Sequence, residues 1–463
     1  MLRDARHAAV GTLLAGFLFL PVYDNVVNVP VLSTKAAFVP TLVLAVSLVF
    51  DAPRWRRFRP AFLDLVVVAM CAICYASSLS NGLGVYDGLV GTARKFMLWG
   101  TPYLLGRVYL GTPAGSKWLT LAVIEAGLVY LPFCLWEIRM SPMLHYQLYG
   151  FVPQHTFADT FRHGLYRPSV FLEHGLMAGM FLASASLLSF WSWRTRSVTS
   201  VWGIPMGWCC AALVGTTLLS RSYGAILLLA VGMGVLEVTR HLRTPLLILS
   251  LMAVPTTYSA VRMTGWSADM LVALSSSFLN VERSASLSFR LMNEDRLLER
   301  AAERRWLGWG GWGRNLGPND EEEAQPQPVT DGMWILALGL NGILGLAALW
   351  LFLALPVVAL LLRFPARLWP HPGLAPAASL AMCALLWAVD DVLNAMQNPL
   401  FPMICGALVS FARLPRHTSI VRLRRGASIP PQRKRRGRAA GRDRSPTLDT
   451  PDPESPRAAR DGA

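Results

Sequence analysis

Arginine carries the most conspicuous chemistry in this chain, because it recurs where an apolar sequence should least tolerate it. Arg167, Arg221, Arg262, Arg283, Arg290, Arg296, Arg300, Arg304, Arg305 and Arg314 all lie in stretches that separate long apolar runs. Arginine is permanently charged, and its planar fork matches the oxygens of a phosphate. Several such groups beside a bilayer, with acids nearby and no cluster of metal ligands in the sequence, suit a lipid diphosphate. They would hold it at the membrane surface and stabilise its charge as it leaves, in place of a metal. A neighbouring carboxylate or imidazole would take the proton from an attacking sugar hydroxyl.

Each candidate also has a plainer reading. Arg221, in the short turn "LLSRSYG" (218–224), has no acidic neighbour in sequence, so it is the best candidate for a ligand-facing charge. In the segment from Ser288 to Gly313, Arg296, Arg300 and Arg304 would share one helix face, with Asp295, Glu299 and Glu303 on the adjacent ribbon. Those charges can satisfy one another, whereas Arg290 stands apart. Leu287, Leu291, Leu298, Ala302 and Trp306 form a stripe, as expected of an amphipathic helix lying at the membrane surface. "WLGWGGWG" (306–313) ends that helix, since its four glycines cannot hold a helix interior. It reads either as a tryptophan belt with glycine turns or as bare backbone approaching a polar ligand. Arg167 either meets a ligand or anchors the interface. His174, beside Glu173, is either a helix cap or a ligand. Asp331, in "VTDGMW" (329–334), is either a helix cap, a role Thr330 also suits, or the proton acceptor.

The elements that must position these residues are membrane helices. The chain is 53% hydrophobic and 15% charged, whereas a soluble protein has roughly a quarter of its residues charged. Apolar runs of about 17 to 25 residues recur along it, which predicts an all-α polytopic membrane protein. Twelve spans are expected, at about 9–26, 36–50, 61–79, 93–110, 117–136, 173–191, 203–219, 222–239, 245–260, 341–362, 374–392 and 398–412. "RWRRFR" (54–59), "WSWRTR" (191–196), "RHLR" (240–243), "RFPAR" (363–367) and the tail then share one side. By the positive-inside rule that side is the cytoplasm and both termini lie there. The large loops, about 137–172 and 261–340, fall on the opposite face with the Arg221 turn. Arg3 and Arg6 precede the first run as in a signal peptide, but no small-residue cleavage site follows, so it reads as a retained helix.

Two further features narrow the function. All seven cysteines lie in or beside apolar runs, and "CAIC" (71–74) reads as packing rather than a redox pair. From Arg413 onward the chain has 14 Lys+Arg against five acids, so the tail carries +9 of the total +15. Rich in Pro, Gly and Arg, residues 413–463 are expected to be disordered and to touch anionic lipid on the cytoplasmic side. No fold around the tail supports nucleic-acid binding. The membrane domain is expected to span 1–412.

Three passages, in their order and on one face, carry a resemblance. These are "RPSVFLEHGLMAG" (167–179), "LLSRSYGAILLL" (218–229), and the run from Phe289-Arg290 through "GWGGWG" to "TDGMWILALGLNGILGL" (330–346). Together they resemble the O-antigen ligase/polymerase superfamily of bacterial inner-membrane glycosyltransferases, and "DDVLNAMQNPLFPMICGAL" (390–408) is similar to the closing segment of its polymerase members. The resemblance spans roughly residues 60–412. It implies a multi-pass protein of the bacterial inner membrane that transfers glycan on the periplasmic face from an undecaprenyl-diphosphate-linked donor to an acceptor sugar. It implies no cofactor, no metal, and no partner nucleic acid; flippase and chain-length regulator proteins are the partners it suggests besides membrane lipids. Carried over by position, Arg221 and Arg290 would hold the diphosphate, Arg167 would assist, and His174 would stand near the cavity mouth. Ligase members typically open the helix after the large loop with a His-Asn or similar pair, where this chain has Asp331-Gly332. That departure favours an exopolysaccharide or O-antigen polymerase with Asp331 as base or acceptor-orienting residue, over a ligase acting on lipid A core or protein. A lipid-linked glycan flippase, a different class, would show inverted repeats with matching broken spans, and no such pairing is found.

Overall fold

The computed structural model describes residues 5–22, 31–153, 160–162, 164–266, 273, 281–311, 313–317 and 330–414. The chain divides into two units, Met1–Gly426 and Ala427–Ala463, and every described residue belongs to the first. The acids at 321–323, the side chain of Arg283 and the basic tail beyond Leu414 fall outside the described residues.

The described chain is mainly helical, and its strands form two two-stranded hairpins. In order the helices of nine or more residues are α1 (Ala5–Phe19), α2 (Lys35–Phe50), α3 (Leu65–Ser80), α4 (Gly84–Lys95), α5 (Thr101–Tyr109), α6 (Pro113–Arg139) and α7 (Gly175–Thr195). They continue as α8 (Met206–Leu219), α9 (Tyr223–Leu242), α10 (Leu246–Met263), α11 (Val281–Glu303), α12 (Met333–Arg363), α13 (Ala375–Asp390) and α14 (Leu400–Ala412). The hairpins pair β1 (Phe161–Arg162) with β2 (Leu165–Tyr166), and β3 (Ser200–Val201) with β4 (Ile204–Pro205). Among the described residues six helices are long and apolar enough to cross a membrane: Phe62–Ser80, α6, α7, α9, α10 and α12. Five shorter apolar helices, α1, α2, α8, α13 and α14, accompany them.

Helices α7 and α13 form the centre, with nearly every residue of both buried. The Trp387 indole donates to Ser184 Oγ across their contact at 3.1 Å. Beside them α5 and α14 cross at two glycines. A Cβ on Gly106 would lie 2.0 Å from the Met403 carbonyl oxygen, and one on Gly406 as close to that of Tyr103. Small residues let two backbones meet in this way where apolar lipid supplies no driving force.

Polar clusters close the two ends of the bundle. At one end Asp64 accepts from Arg107 Nε at 2.7 Å and from the Tyr103 hydroxyl at 2.6 Å, while Arg107 also reaches Ser410. At the other, Glu137 fastens the loop before α7, accepting from the backbone of Leu144, Ser169 and Val170.

Two expected boundaries move. The span expected at 93–110 begins at Gly84: the helical path runs through α4, a wide turn at Phe96–Gly100, and α5. "NGLGVYDG" looks like a loop in sequence. Gly88 is there because a Cβ would come within 2.8 Å of the Tyr75 ring, so α4 can lie close along α3. The span expected from 341 begins at Met333 and is interrupted at Gly342, whose φ of 66° and ψ of −165° suit glycine alone.

The interruption explains the tryptophan-glycine run. Backbone freed where α12 breaks is taken up by residues 305–310. Trp309 N donates to Gly339 O at 2.9 Å, Gly310 N to Leu340 O at 3.0 Å, and Ile343 N to Arg305 O at 2.9 Å. A Cβ on Gly308 would sit 2.5 Å from Asn341 N, and one on Gly342 2.3 Å from the Trp306 carbonyl. From α3, Ser77 Oγ donates to the Leu307 and Leu340 carbonyls and Asn81 Nδ2 to Gly308 O. The bare backbone of Gly308 therefore approaches another helix, rather than a ligand.

Candidate functional site

The site is built where α11, the start of α12 and the segment after α13 meet. Helix α11 is held over the bundle by a buried cluster. Glu294 accepts from the Tyr258 hydroxyl at 2.7 Å, Arg262 Nε at 3.4 Å and the Trp334 indole at 3.2 Å. Arg262 also donates to Asp295 at 2.8 Å. Burial pushes the Glu294 carboxyl up from its ordinary range, and these donors act against the shift. The buried stripe of α11 is Leu291, Glu294, Leu297 and Ala301, while Ala302 and Trp306 are exposed. The apolar face is thus rotated from the expected one and packs on protein. Of the expected ion pairs along the helix, Arg300 meets Glu303 at 2.6 Å, but Asp295 turns to Arg262.

That orientation aims Arg290 at the site. Its Nη1 donates to the Leu393 carbonyl at 3.0 Å and to Asn394 Oδ1 at 3.2 Å, and its Nε stands 3.5 Å from Asp331 Oδ2. Asp331 does not cap α12. The cap position is Gly332, with no side-chain bond, so the capping role considered for Asp331 or Thr330 is not taken up. Gly332 instead lets the turn dock on the end of α13: a Cβ would lie 2.5 Å from Val392 O, and Met333 N donates to Asp391 O at 2.8 Å. Burial raises the Asp331 carboxyl above its ordinary range, while the Arg290 guanidinium pulls the other way.

Two further carboxyls lie behind this pair. Asp390 accepts from Asn394 Nδ2 at 2.8 Å. Asp391 is fully buried, and neither of its carboxyl oxygens has a hydrogen-bond partner among the described residues. Asp390 and Asp391 do not form an ion pair with any arginine among the described residues; Asn394 intervenes between Asp390 and Arg290.

The second group gathers at the first turns of α7. His174 is its N-cap, with Nδ1 accepting from Leu176 N at 3.0 Å, so the capping role is realised. Arg167 is buried with its aliphatic stem on Gly175, where a Cβ would come within 2.4 Å of Arg167 Cδ. Val170, at φ 54°, is strained for a β-branched residue, and Glu137 and Tyr130 hold the turn by accepting from Ser169, Val170 and Phe171. One helical turn further, Ser222 packs on Gly179 and brings the Arg221 turn to the same end. Arg221 adopts φ 56° and makes no hydrogen bond or ion pair among the described residues.

No hydrogen bond or ion pair joins Arg290 and Asp331 to Arg167, His174 or Arg221 among the described residues. Between the groups runs the segment after α13. Its Gln397 borders both a small cavity lined by Lys35 and Glu173 and a larger cleft. That cleft, of about 450 Å³, lies between α3, α4 and α12; Met333, two residues past Asp331, lines it with Asp87, Arg94, Lys95, Asn341 and Arg314. Thr92 bonds the Cys71 carbonyl, so Arg94 and Lys95 stand beside the middle of α3. Lys95, Asn394 and Gln397 are not among the residues singled out above from sequence. The signal for Lys95 was present, as a cation inside a helical apolar stretch; Asn394 and Gln397 gave none. No group of three or more potential metal ligands occurs among the described residues, and the seven cysteines are free.

Comparison of the chain with protein-family models finds no match, and comparison with curated proteins finds none either.

Proposed function

We propose that this chain is a polysaccharide polymerase of a bacterial inner membrane, similar to the O-antigen ligase/polymerase superfamily. It would cross the membrane twelve times, with both termini in the cytoplasm. The reaction transfers glycan from an undecaprenyl-diphosphate-linked donor to a sugar hydroxyl of a second lipid-linked repeat unit on the periplasmic face. The observation that carries this reading is the Arg290–Asp331 pair at 3.5 Å, set beside a cleft with apolar walls and cationic residues. The walls suit a polyprenyl chain, and Arg290 and Arg221 suit its diphosphate. The acceptor oxygen attacks the anomeric carbon, the bond from that carbon to the diphosphate oxygen breaks, and Asp331 takes the hydroxyl proton. Arg290 stabilises the charge that grows on the leaving diphosphate. His174 and Arg167 position the α7 end of the site, His174 through its cap.

The test is the glycan profile of a deletion strain complemented with wild type, Arg221→Ala, Arg290→Ala or Asp331→Asn, each checked for membrane expression. Loss of polymer with accumulation of single lipid-linked repeats is the expected result. Long polymer left on its carrier would make the protein a ligase. Normal polymer from every variant would reject the site.

A further inference from the structure

At the end of the bundle remote from Arg290, the α7–α8 connection forms a surface unlike the rest. The β3–β4 hairpin turns through Trp202 and Gly203, with φ of 51° and 83°. Glycine or asparagine suits the first of these positions; an indole there is strained. The strained residue is also exposed, as are Trp193, Ile204 and Trp208. Trp202, at the turn tip, leaves 60% of its surface open. None of the three indole N–H groups has an acceptor among the described residues.

Trp193 and Trp208 line a groove of about 540 Å³ together with buried Val198 and Met206 and exposed Ala211 and Arg196. Nearby cations are already engaged. Arg194 meets Glu237 at 2.5 Å, and Arg240 and His241 share the same carboxylate at 3.9 and 3.3 Å. Arg196, exposed and also in the left-handed region at φ 54°, makes no ion pair or hydrogen bond through its side chain among the described residues. The groove therefore offers an apolar trough, indole donors at its edges and one uncommitted guanidinium.

We infer that this groove binds one anionic phospholipid, its phosphate on Arg196 and an acyl chain along Trp193, Trp208 and Ala211. Charge complementarity selects the anionic headgroup, because a zwitterionic lipid brings its own ammonium to the phosphate that Arg196 would meet. The apolar floor selects a lipid over free phosphate. The inference stands independently of the glycan chemistry, since it uses none of the residues assigned to it.

The test is native mass spectrometry of the purified full-length protein in detergent. It is titrated with phosphatidylglycerol and phosphatidylethanolamine of identical acyl chains. Wild type should retain one phosphatidylglycerol about tenfold more strongly than phosphatidylethanolamine, a preference that excess inorganic phosphate leaves unchanged. Arg196→Gln, an exposed change that leaves the fold intact, should abolish the preference, and Trp208→Ala should weaken retention of both lipids. Arg139→Gln, an exposed arginine at the opposite end, should behave as wild type. Equal retention of the two lipids by wild type would overturn the inference and leave only a nonselective aromatic belt. An Arg196→Gln protein that keeps its preference, or an Arg139→Gln protein that loses it, would overturn it as well.

Discussion

Arg290 has two firm acceptors, Leu393 O and Asn394 Oδ1, and one looser partner in Asp331. Tight N–H to carboxylate contacts run at about 2.7–2.9 Å, so 3.5 Å leaves the pair easy to part. A diphosphate arriving at Arg290 competes directly with Asp331. Burial and the negative charge of the diphosphate then both favour the protonated carboxyl, so its pKa rises further and Asp331 becomes a stronger base. As a base Asp331 must be deprotonated, so activity is present above its pKa and lost as pH falls through it. Arg290→Lys gives up the planar fork and the Nε contact. We expect its acid limb to move to higher pH, with kcat falling about 100-fold. A pH series of polymer formation from purified lipid-linked repeats measures both. An unmoved limb would assign the proton to another group.

At the scale of elements, the broken helix α12 is the part on which the site depends, since it carries Asp331 at one end and lines the cleft. Gly342→Ala would place a methyl 2.3 Å from the Trp306 carbonyl at a φ of 66°. The expected outcome is loss of membrane expression or a destabilisation of about 3 kcal/mol or more, adding backbone strain to the clash. Gly234→Ala, in the interior of α9 with open space around it, should be neutral or stabilising by about 0.5–1 kcal/mol. Thermal melts of the two proteins separate the cases, and equal melts would mean the break at Gly342 is not required. For α11 the anchor is Glu294. Glu294→Ala strips Arg262 of one carboxylate and leaves Tyr258 and Trp334 without their acceptor, a loss on the order of 3 kcal/mol. The melt should fall by that amount, whereas an exposed change such as Glu299→Ala should leave it alone. These elements mark how far the sequence could be read. The apolar runs show the helices, Arg290 stands apart by its charge, and Asp331 enters as a cap candidate and, as a base, through the resemblance. Their pairing is not visible in sequence, because it depends on contacts 32 or more residues apart in the chain: Arg262 with Glu294, and Arg290 with Asp331, Leu393 and Asn394 across longer separations still. The tryptophan-glycine run reads from sequence as a helix stop, but its partner is the gap in α12 at Gly342, which no local signal marks. The stripe on α11 was shifted because Glu294, a charged residue, is part of the buried face.

For the whole molecule, helix length and burial together decide how the bundle meets a bilayer. Helices α13 and α14, with 16 and 13 residues, reach only about 20–24 Å against a hydrocarbon core of about 30 Å. Both are almost wholly buried, so they need not match the lipid; the longer α6, α9, α10 and α12 present the exposed apolar surface. Short helices can therefore count as spans inside this bundle. The ends of α5 and α14 and the start of α3 join through Arg107, Asp64 and Ser410, as the ends of α7 and α9 join through Arg194 and Glu237. Arg363, at the end of α12, reaches Leu414 beyond α14. With basic residues concentrated at these ends, they should face the cytoplasm. Fusions to alkaline phosphatase and green fluorescent protein after residues 153, 243, 317 and 414 test it. Phosphatase should be active at 153 and 317, and fluorescence should appear at 243 and 414. The reverse pattern would put Arg290 and Asp331 in the cytoplasm, where a periplasmic glycan donor cannot reach them, and the polymerase reading would fall with the orientation.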